Sequence, residues 1–251
     1  MGRLLLVLFV FAFFTGMTTP QALSPEPLPE LSFSADLSDY ESYMNPGRGD
    51  EYLILVNRTH PVGQAPAPVD LTELSGTRQD GRPVQKMREC AAMALQAMFL
   101  ELEALGYLDE VSKDGFTFSV TSGYRSYEYQ ASLFEIYKNQ YMAGGMTEEE
   151  ALQRVSKTTA LPGKSEHQTG LCVDMHDRLC ATADFDTSPV FAWLSENAWK
   201  FGFILRYPKG KETVTGYSYE PWHYRFVGRY HAEQMHRSGL CLEEYIKRRS
   251  G

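Results

Sequence analysis

The chain has 251 residues and a formal net charge of −8 at pH 7. This length is enough for one large domain or two small ones with a proper hydrophobic core. Because no surface rich in Lys and Arg is evident before the last few residues, the composition argues against a nucleic-acid-binding protein. The basic stretch IKRRS at 246–250 is typical of a solvated helix end, where the helix dipole favours cations.

The N-terminal segment predicts export. One basic residue, Arg3, precedes an apolar run from Leu4 to Phe14, which is shorter than the roughly 20 residues that a membrane-spanning helix needs. With the small residues Ala22 and Ser24 near its end, segment 1–24 is typical of a secretory signal peptide; retention as an uncleaved anchor stays open. In both cases we expect the protein outside the cytoplasm, secreted or attached to the outer face of the cytoplasmic membrane.

Residues 25–50 differ from the rest of the chain in composition. They are rich in Pro, Ser and acidic residues, which is typical of a linker. We therefore expect a linker at 25–50 that holds a single domain, 51–251, away from a membrane or a cell wall.

The first elements predicted for the domain are a strand and a long helix. EYLILVN at 51–57 is a short apolar run, which is typical of a buried strand. From Pro83 to Leu105 apolar residues recur at helical spacing, and Gly106 is a typical helix end. The strand FTFSVTS is predicted at 116–122 from its alternation. The recurring helix positions are Met87, Ala91, Ala94, Met98 and Leu102.

The second half of the chain mixes helices with short strands. A helix is predicted from about Ser126 to Tyr141, Thr147 and Glu150 form a capping box for another, and a further helix spans 188–202 with a Ser-Pro start and a Gly end. No internal repeat and no second domain are evident, so the order of elements predicts an α+β fold with a small antiparallel sheet packed with several helices. The last predicted elements are strands within FILRY at 203–207 and GYSYEPWHYRFV at 216–227, followed by a helical tail.

The four cysteines leave two interpretations open. In an oxidising compartment they can form two disulfides, with three connectivities, and Cys172 and Cys180 flank a turn-like stretch that a bridge could close. Alternatively they are small buried thiols. There is no CxxC pair, so a cysteine-rich zinc site is not predicted. The four are Cys90, Cys172, Cys180 and Cys241.

Candidate chemistry begins in KSEHQTGLCVDM at 164–175. The alternation predicts a strand in which Leu171 and Val173 point to one face, and Cys172 and Asp174 to the other. A buried, unpaired carboxylate costs several kcal/mol. Asp174 therefore needs a cation, a salt bridge or solvent.

A second segment, EPWHYRFVG at 220–228, supplies complementary groups. His167, Asp174 and His223 would give a zinc ion two imidazoles and one carboxylate, and leave a coordination position for water. Glu220 is then free to act as a general base. On strand period alone, His176 shares a face with Asp174 and competes with it as a ligand.

Two familiar hydrolase motifs are missing from the sequence. There is no HExxH, which excludes a thermolysin-like zinc helix. There is no SxxK and no KTG, so the serine mechanism of penicillin-binding proteins is not predicted.

Several segments in the same order carry a family resemblance. They are S-x-H-x-x-G-x-x-x-D (Ser165, His167, Gly170, Asp174), EPWH at 220–223, SGYRS at 122–126 with Gln130, and GFILRYPKGKE at 202–212. Together they resemble the zinc D-alanyl-D-alanine carboxypeptidases of the VanY type, over roughly residues 50–230. The resemblance implies the hedgehog/D,D-peptidase-like α+β fold, with a small antiparallel sheet carrying the zinc site.

The resemblance also implies roles for individual residues. It makes His167, Asp174 and His223 the ligands of one Zn²⁺ per chain, and Glu220 the base that acts with zinc-activated water. It makes Arg125, between a strand and a helix, the group that holds the substrate; an Arg fork suits a terminal carboxylate better than Lys does. From the residues alone, Arg125 could equally form a structural salt bridge. One departure is visible, because Cys172 stands where the family usually has a small residue. The expected pocket-lining residues are Ser122, Gln130, Ser165, Tyr207 and Trp222.

The implied function is removal of the terminal D-Ala from peptidoglycan stem peptides. An L,D-carboxypeptidase acting on tetrapeptide stems and a catalytically inactive wall-binding module stay open as alternatives. We expect a monomer close to the cell wall or membrane, with the stem peptide as its partner and no nucleic acid.

Overall fold

The fold was analysed in a computed structural model, which describes residues 31–251. Within them, helices and short antiparallel strands alternate along the chain, which confirms the α+β prediction. The helices are α1 (Glu41–Met44), α2 (Glu89–Ala104), α3 (Tyr127–Ala143), α4 (Glu148–Val155), α5 (Pro189–Asn197), α6 (Glu212–Thr215), α7 (Arg229–Ser238) and α8 (Leu242–Ser250). The strands are β1 (Leu71–Glu73), β2 (Lys86–Arg88), β3 (Ser119–Ser122), β4 (Cys172–His176), β5 (Phe203–Leu205) and β6 (His223–Phe226).

Four of the strands form the central sheet, in the order β3-β4-β6-β5, with all neighbours antiparallel. β1 and β2 form a separate two-stranded sheet. In the central sheet Asp174 on β4 lies directly opposite His223 on β6, and Cys172 lies opposite Arg225. The sheet thus brings together two segments about 50 residues apart in the sequence.

Side-chain alternation gives the central sheet one apolar face and one polar face. Val173 and Met175 of β4, with Tyr224 and Phe226 of β6, belong to the main hydrophobic core, together with α2. The intervening residues face the other way, as the sequence predicted for Cys172 and Asp174.

The predicted helices are present with shifted boundaries. The long helix begins at Glu89 rather than near Pro83, because Lys86–Arg88 pair with β1 as a strand. Ser126 caps α3, accepting a bond from the Tyr129 amide at 3.1 Å. The Thr147–Glu150 capping box is present at α4. No helix within residues 31–251 is long and apolar enough to cross a membrane.

The strand predicted at 51–57 is absent from the described structure. A short 3₁₀ helix covers Asp50–Tyr52, and the following residues have no regular structure. A side chain, rather than a partner strand, bonds carbonyl groups of this segment: Arg225 donates to the carbonyls of Tyr52 and Ile54, each at 2.8 Å. Leu53 and Val56 are still buried. The apolar pattern therefore predicted the burial of this segment correctly, but not its backbone conformation.

The linker prediction is wrong for residues 31–50, because they pack against the domain. Leu37 and Met44 belong to the main core, and the ring of Phe33 lies 5.3 Å from that of Phe201. The Ser34 and Ala35 amides donate to the Glu101 carboxylate, at 2.8 and 2.9 Å. Because the segment is rich in acidic residues, its composition did not indicate that these apolar side chains are buried. The signal peptide and the linker residues before 31 lie outside the described residues.

The cysteine prediction is also resolved by the structure. All four cysteines, which lie within residues 31–251, are free thiols, so the Cys172–Cys180 bridge is not formed. Cys172 is buried on the polar face of β4, whereas Cys180 is exposed in the loop after it. Of the two interpretations, the one with free thiols holds, although Cys180 is not buried.

Candidate metal-dependent active site

Three polar side chains converge on the polar face of the central sheet. Asp174 Oδ1 lies 3.0 Å from His223 Nδ1, and Asp174 Oδ2 lies 3.4 Å from His167 Nε2. The two imidazole rings are nearly perpendicular, with centroids 5.0 Å apart. His167 comes from the 3₁₀ turn Glu166–Thr169, just before β4. The structure therefore brings together the three residues that the sequence predicted as metal ligands.

The orientation of His167 is set by a backbone carbonyl. Its Nδ1 lies 2.7 Å from the carbonyl oxygen of Gly123, which can only accept, so Nδ1 carries the proton and Nε2 keeps a free lone pair. Gly123 has to be glycine, because a Cβ there would clash with the carbonyl of Lys86.

His223 lies next to an acid that the sequence analysis missed, Glu166. Its Nε2 lies 3.5 Å from Glu166 Oε2, which leaves Nδ1 directed at Asp174. Glu166 is fully buried, and its Oε1 accepts bonds from Arg206 at 2.7 Å and Arg225 at 2.9 Å. Burial opposes ionisation, but the two guanidinium groups outweigh it and hold the pKa of Glu166 below its ordinary value. Arginines inside the apolar strands FILRY and HYRF were the available signal for a buried acid.

Asp174 has the properties of a carboxylate that binds a cation. Burial alone would raise its pKa, yet the imidazoles of His167 and His223 hold that pKa well below the usual range. Its Oδ1 is buried and makes no hydrogen bond within the described structure, although His223 Nδ1 lies 3.0 Å away; such an arrangement is costly unless a positive charge neutralises the oxygen. Two imidazole nitrogens and one carboxylate oxygen form a donor set that suits Zn²⁺. The residues present therefore fit this metal.

The competing ligand His176 lies away from this cluster. It pairs with Ser119 across β3 and β4, and its Nδ1 is 3.2 Å from the amide of Arg178 and 3.3 Å from Arg78. Burial, reinforced by the Arg78 charge, lowers the pKa of His176 to about 4. Its surroundings already satisfy this imidazole.

Glu220 is placed beside the cluster and is protonated more readily than an ordinary carboxyl. Its Oε2 lies 3.8 Å from His223 Nδ1, and its amide donates to the carbonyl of Tyr207 at 3.1 Å. Burial, together with the nearby Asp174 charge, raises the pKa of Glu220 to about 7. A carboxyl with this pKa can both accept and donate a proton near neutral pH.

Arg125 contacts Asp174 and is held in place by several hydrogen bonds. Its guanidinium donates to Ser122 Oγ at 2.9 Å, to Gln130 Oε1 at 3.3 Å and to Asp174 Oδ2 at 2.8 Å. Ser122 and Gln130 were predicted to line the substrate pocket, but they do not line the cavity that lies over these groups. Instead they accept hydrogen bonds from the Arg125 guanidinium. Gln130 is fully buried and also donates to the carbonyl of Ala160. The guanidinium is thus fixed next to the metal cluster.

An open cavity of about 450 Å³ lies over these groups. Ser165, Tyr207 and Trp222, predicted as pocket residues, line it together with Arg125, His167, Asp174, Glu220 and His223. The ring of Tyr207 lies 4.9 Å from that of His223. Tyr137 and Tyr141, one turn apart on α3, form part of the wall and were not singled out from the sequence.

Cys172 is a further unexpected member of the cluster. Its Sγ and one nitrogen each of His167 and His223 all lie within 4.8 Å of one another. Burial opposes ionisation of the thiol, but the two imidazoles outweigh it and lower the pKa of Cys172 to about 7. The sequence signal was the departure from a small residue at this position.

These features are those of a single-metal hydrolytic centre, with a buried carboxyl and an arginine beside the metal-binding groups. The comparisons with known proteins identify the family. The sequence profile of the VanY family, described as D-alanyl-D-alanine carboxypeptidase, matches residues 85–229. The chain therefore belongs to the VanY family of D-alanyl-D-alanine carboxypeptidases.

Individual relatives agree with this assignment. A D-alanyl-D-alanine carboxypeptidase of Enterococcus faecalis is 40% identical over 204 residues, which are 79% of this chain and 68% of the relative. A mutant of the vancomycin resistance D,D-pentapeptidase VanY from a VanB-type cassette, solved in complex with Zn(II), is 38% identical, covers 78% of this chain and 98% of its own, and gives a TM-score of 0.63. The LdcB LD-carboxypeptidase is 33% identical, with coverages of 77% and 84% and the same TM-score.

Proposed function

We propose that the protein is a zinc-dependent D-alanyl-D-alanine carboxypeptidase that hydrolyses the terminal D-Ala from peptidoglycan stem peptides. The observation that carries this proposal is the convergence of His167, Asp174, His223, Glu220 and Arg125 on one cavity. Membership of the family and the activity named for the Enterococcus faecalis relative support it.

The chain's own residues would hold one Zn²⁺. His167 Nε2, Asp174 and His223 Nδ1 would be the ligands; the carbonyl of Gly123 holds His167 in the required tautomer, and the Glu166 carboxylate, 3.5 Å from His223 Nε2, favours a proton on that nitrogen. Bound zinc supplies Lewis acidity, which polarises the scissile carbonyl and acidifies water.

Glu220 moves the proton of the reaction. As a carboxylate it accepts a proton from the attacking water, and as a carboxylic acid it donates that proton to the amine of the leaving D-Ala. Its burial beside His223 makes both protonation states accessible near neutral pH. The same group therefore serves both halves of the hydrolysis.

Arg125 recognises the free carboxylate at the end of the stem peptide. Its guanidinium lies 2.8 Å from Asp174, so a carboxylate that it binds is held close to the metal ligands, which favours an exopeptidase. Ser122 and Gln130 keep the guanidinium in place, whereas Ser165, Tyr207 and Trp222 form the surrounding wall.

The alternative on the same site is an L,D-carboxypeptidase acting on tetrapeptide stems. The structural match to the LdcB LD-carboxypeptidase has the same TM-score as the match to VanY, so the fold itself does not separate the two. We propose the D,D activity because the identity to the Enterococcus faecalis D-alanyl-D-alanine carboxypeptidase (40%) and to the VanY D,D-pentapeptidase (38%) is higher than the identity to LdcB (33%).

The same proposal includes the setting of the enzyme. It acts as a monomer outside the cytoplasm, secreted or attached to the outer face of the membrane, where peptidoglycan is its substrate. The apolar run Leu4–Phe14 behind Arg3 supports export.

Product analysis tests the function. The purified, zinc-loaded protein is incubated with pentapeptide and tetrapeptide stems, and the products are identified by mass. Release of D-Ala from the pentapeptide supports the proposal, and cleavage of the tetrapeptide alone indicates the L,D activity. No cleavage of either stem by protein that contains zinc would indicate the inactive wall-binding module. Glu220→Gln from the same preparation serves as the control for contaminating peptidases.

A further inference from the structure

We propose that Cys172 is an additional ligand of the metal in this chain, so that the centre has a thiolate donor besides His167, Asp174 and His223. This inference rests on the proposed zinc site but goes beyond it, because it changes the donor set from two nitrogens and an oxygen to two nitrogens, an oxygen and a sulfur.

Strand geometry places the thiol on the correct side of the sheet. Side chains two residues apart in a strand share a face, so Cys172 and Asp174 of β4 both face the cluster. Across the sheet they lie opposite Arg225 and His223 of β6. Cys172 has no exposed surface, so its sulfur can reach nothing in solvent.

The distances are compatible with a shared metal. Zinc binds thiolate at about 2.3 Å and imidazole at about 2.0–2.1 Å. In a tetrahedral site these bond lengths separate sulfur and nitrogen by roughly 3.5 Å. Sγ of Cys172 and the nitrogens of His167 and His223 lie within 4.8 Å of one another without any ion, so small side-chain rotations are enough.

A second feature of the cluster points to a cation at this place. Asp174 Oδ1, on a side chain that is 10% exposed, makes no hydrogen bond within the described structure and lies 3.0 Å from His223 Nδ1. The two imidazoles thus lie near both the Asp174 carboxylate and the Cys172 thiol, and all three donor types are ones that zinc accepts.

The additional ligand has a chemical consequence. When the metal binds, the Cys172 thiol releases its proton to solvent and the sulfur forms the bond as a thiolate. Two imidazoles and Asp174 leave a centre with a formal charge of about +1, and the thiolate brings that charge to about zero. We therefore expect tighter zinc binding and weaker polarisation of the substrate than with three ligands, and the water of the proposed reaction would enter as a fifth neighbour, which zinc sites can accept.

X-ray absorption at the zinc edge tests the inference on the wild-type protein. We expect one sulfur neighbour at about 2.3 Å together with nitrogen and oxygen neighbours at about 2.0–2.2 Å. A wild-type spectrum with only the shorter neighbours would overturn the inference. As a second readout, protein loaded with Co²⁺ alone should show thiolate-to-metal charge-transfer absorption in the near ultraviolet.

The chain offers matched controls. Cys172→Ala should lose the sulfur neighbour and the charge-transfer band, whereas Cys180→Ala, which removes the exposed thiol at the cavity wall, should keep both. Cys172→Ser preserves the side-chain volume and gives the same comparison if the alanine variant folds poorly. Retention of the sulfur signal in both Cys172 variants would contradict the proposal.

The outcome is separable from the proposed function. Cleavage of stem peptides by a protein that has no sulfur neighbour would leave the carboxypeptidase intact and remove only the thiolate ligand. A sulfur neighbour in a protein that cleaves no stem peptide would support the thiolate ligand and contradict the proposed carboxypeptidase function.

Discussion

At the scale of single residues, the chemistry depends on carboxyl groups held in different protonation states by their surroundings. The imidazoles around Asp174 keep it ionised, whereas burial raises the pKa of Glu220 to about 7. Two acids that lie 3.0 and 3.8 Å from the same nitrogen of His223 can therefore take different roles, one as a ligand and the other as a proton carrier.

Glu220→Gln tests the proton carrier. Glutamine keeps the size of the side chain but cannot accept a proton, so we expect zinc to remain bound and kcat to fall by at least about 10²-fold. Metal analysis and steady-state kinetics on one preparation check both parts. Near-normal turnover would assign the proton to another group.

Alanine substitutions test the ligands. His167→Ala, Asp174→Ala and His223→Ala should each lose zinc or bind it much more weakly, because a site with so few ligands cannot easily spare one. His176→Ala is the matched control on the same strand face and should keep about one zinc per chain. Loss of metal from His176→Ala with retention in Asp174→Ala would reverse the assignment.

Substitutions of Arg125 test whether the enzyme recognises a free C-terminal carboxylate. A charge-assisted hydrogen bond contributes roughly 1.5–3 kcal/mol, so Arg125→Ala should lower kcat/KM by about 10- to 10³-fold. Arg125→Lys should recover only part of the loss, because an ammonium group lacks the planar fork.

Amidated substrates complete this test. The wild type should cleave stems with a free carboxylate and reject the same stems with an amidated C-terminus. Equal cleavage of both, by the wild type and by Arg125→Ala, would point to an endopeptidase.

At the scale of elements, Glu166 joins the metal-binding turn to the sheet and to the C-terminal helix. It bonds Arg225 of β6 and Arg206, which follows β5, and Arg206 also donates two bonds to Glu243 of α8, at 2.7 and 2.8 Å. Arg206 and Arg225 have no exposed surface. A single buried carboxylate thus lies beside His223 and links the metal-binding turn to the sheet.

The substitution Glu166→Gln tests how much this network contributes to the free energy of unfolding. Neutralising the acid removes the carboxylate charge that lies against the buried Arg225 guanidinium, for which we expect a loss of about 3–5 kcal/mol in the free energy of unfolding. Denaturant titration in the presence of a chelator excludes differences in metal binding. The control is Glu73→Gln, in the exposed pair with Lys86, which should change stability by less than about 1 kcal/mol.

The network also predicts the sign of a pH effect. The pKa of Glu166 is lower in the folded chain than in the unfolded one, so its contribution to stability is complete above the unfolded value and is lost as the pH falls towards the folded value. The difference in stability between wild type and Glu166→Gln should therefore shrink below about pH 4.3. A difference that grows on acidification would contradict this reading.

At the scale of the whole molecule, the folded unit begins earlier than its composition suggests. Residues 31–44 place Leu37 and Met44 in the core and pair their amides with Glu101. Arg229 of α7 also bonds Glu41, at 2.5 Å. The segment is a structural part of the domain rather than a spacer.

Two truncations test this boundary. A chain that starts at Leu31 should unfold at the same denaturant concentration as one that starts at Ser24. A chain that starts at Glu51 should be several kcal/mol less stable, since a fully buried apolar side chain contributes about 1.5–3 kcal/mol and the buried Glu101 loses its partners. Equal midpoints for all three would restore the linker interpretation.

The sequence by itself determined the features that depend on neighbouring residues. The alternation in LCVDM separated core and site faces of β4, Thr147 and Glu150 marked the start of α4, and the motif around His167 and His223 identified the family. These patterns are readable because strand period and helix caps involve residues only two to four positions apart.

Only the tertiary structure decided the features that join distant segments. His176 and Asp174 have the same strand period, but pairing with β6 sets Asp174 opposite His223 and pairing with β3 sets His176 opposite Ser119. The bonds from Glu166 to Arg206 and Arg225 span 40 and 59 residues. No local pattern encodes such contacts, because a buried charge can take its partner from any segment that the fold brings within hydrogen-bond distance.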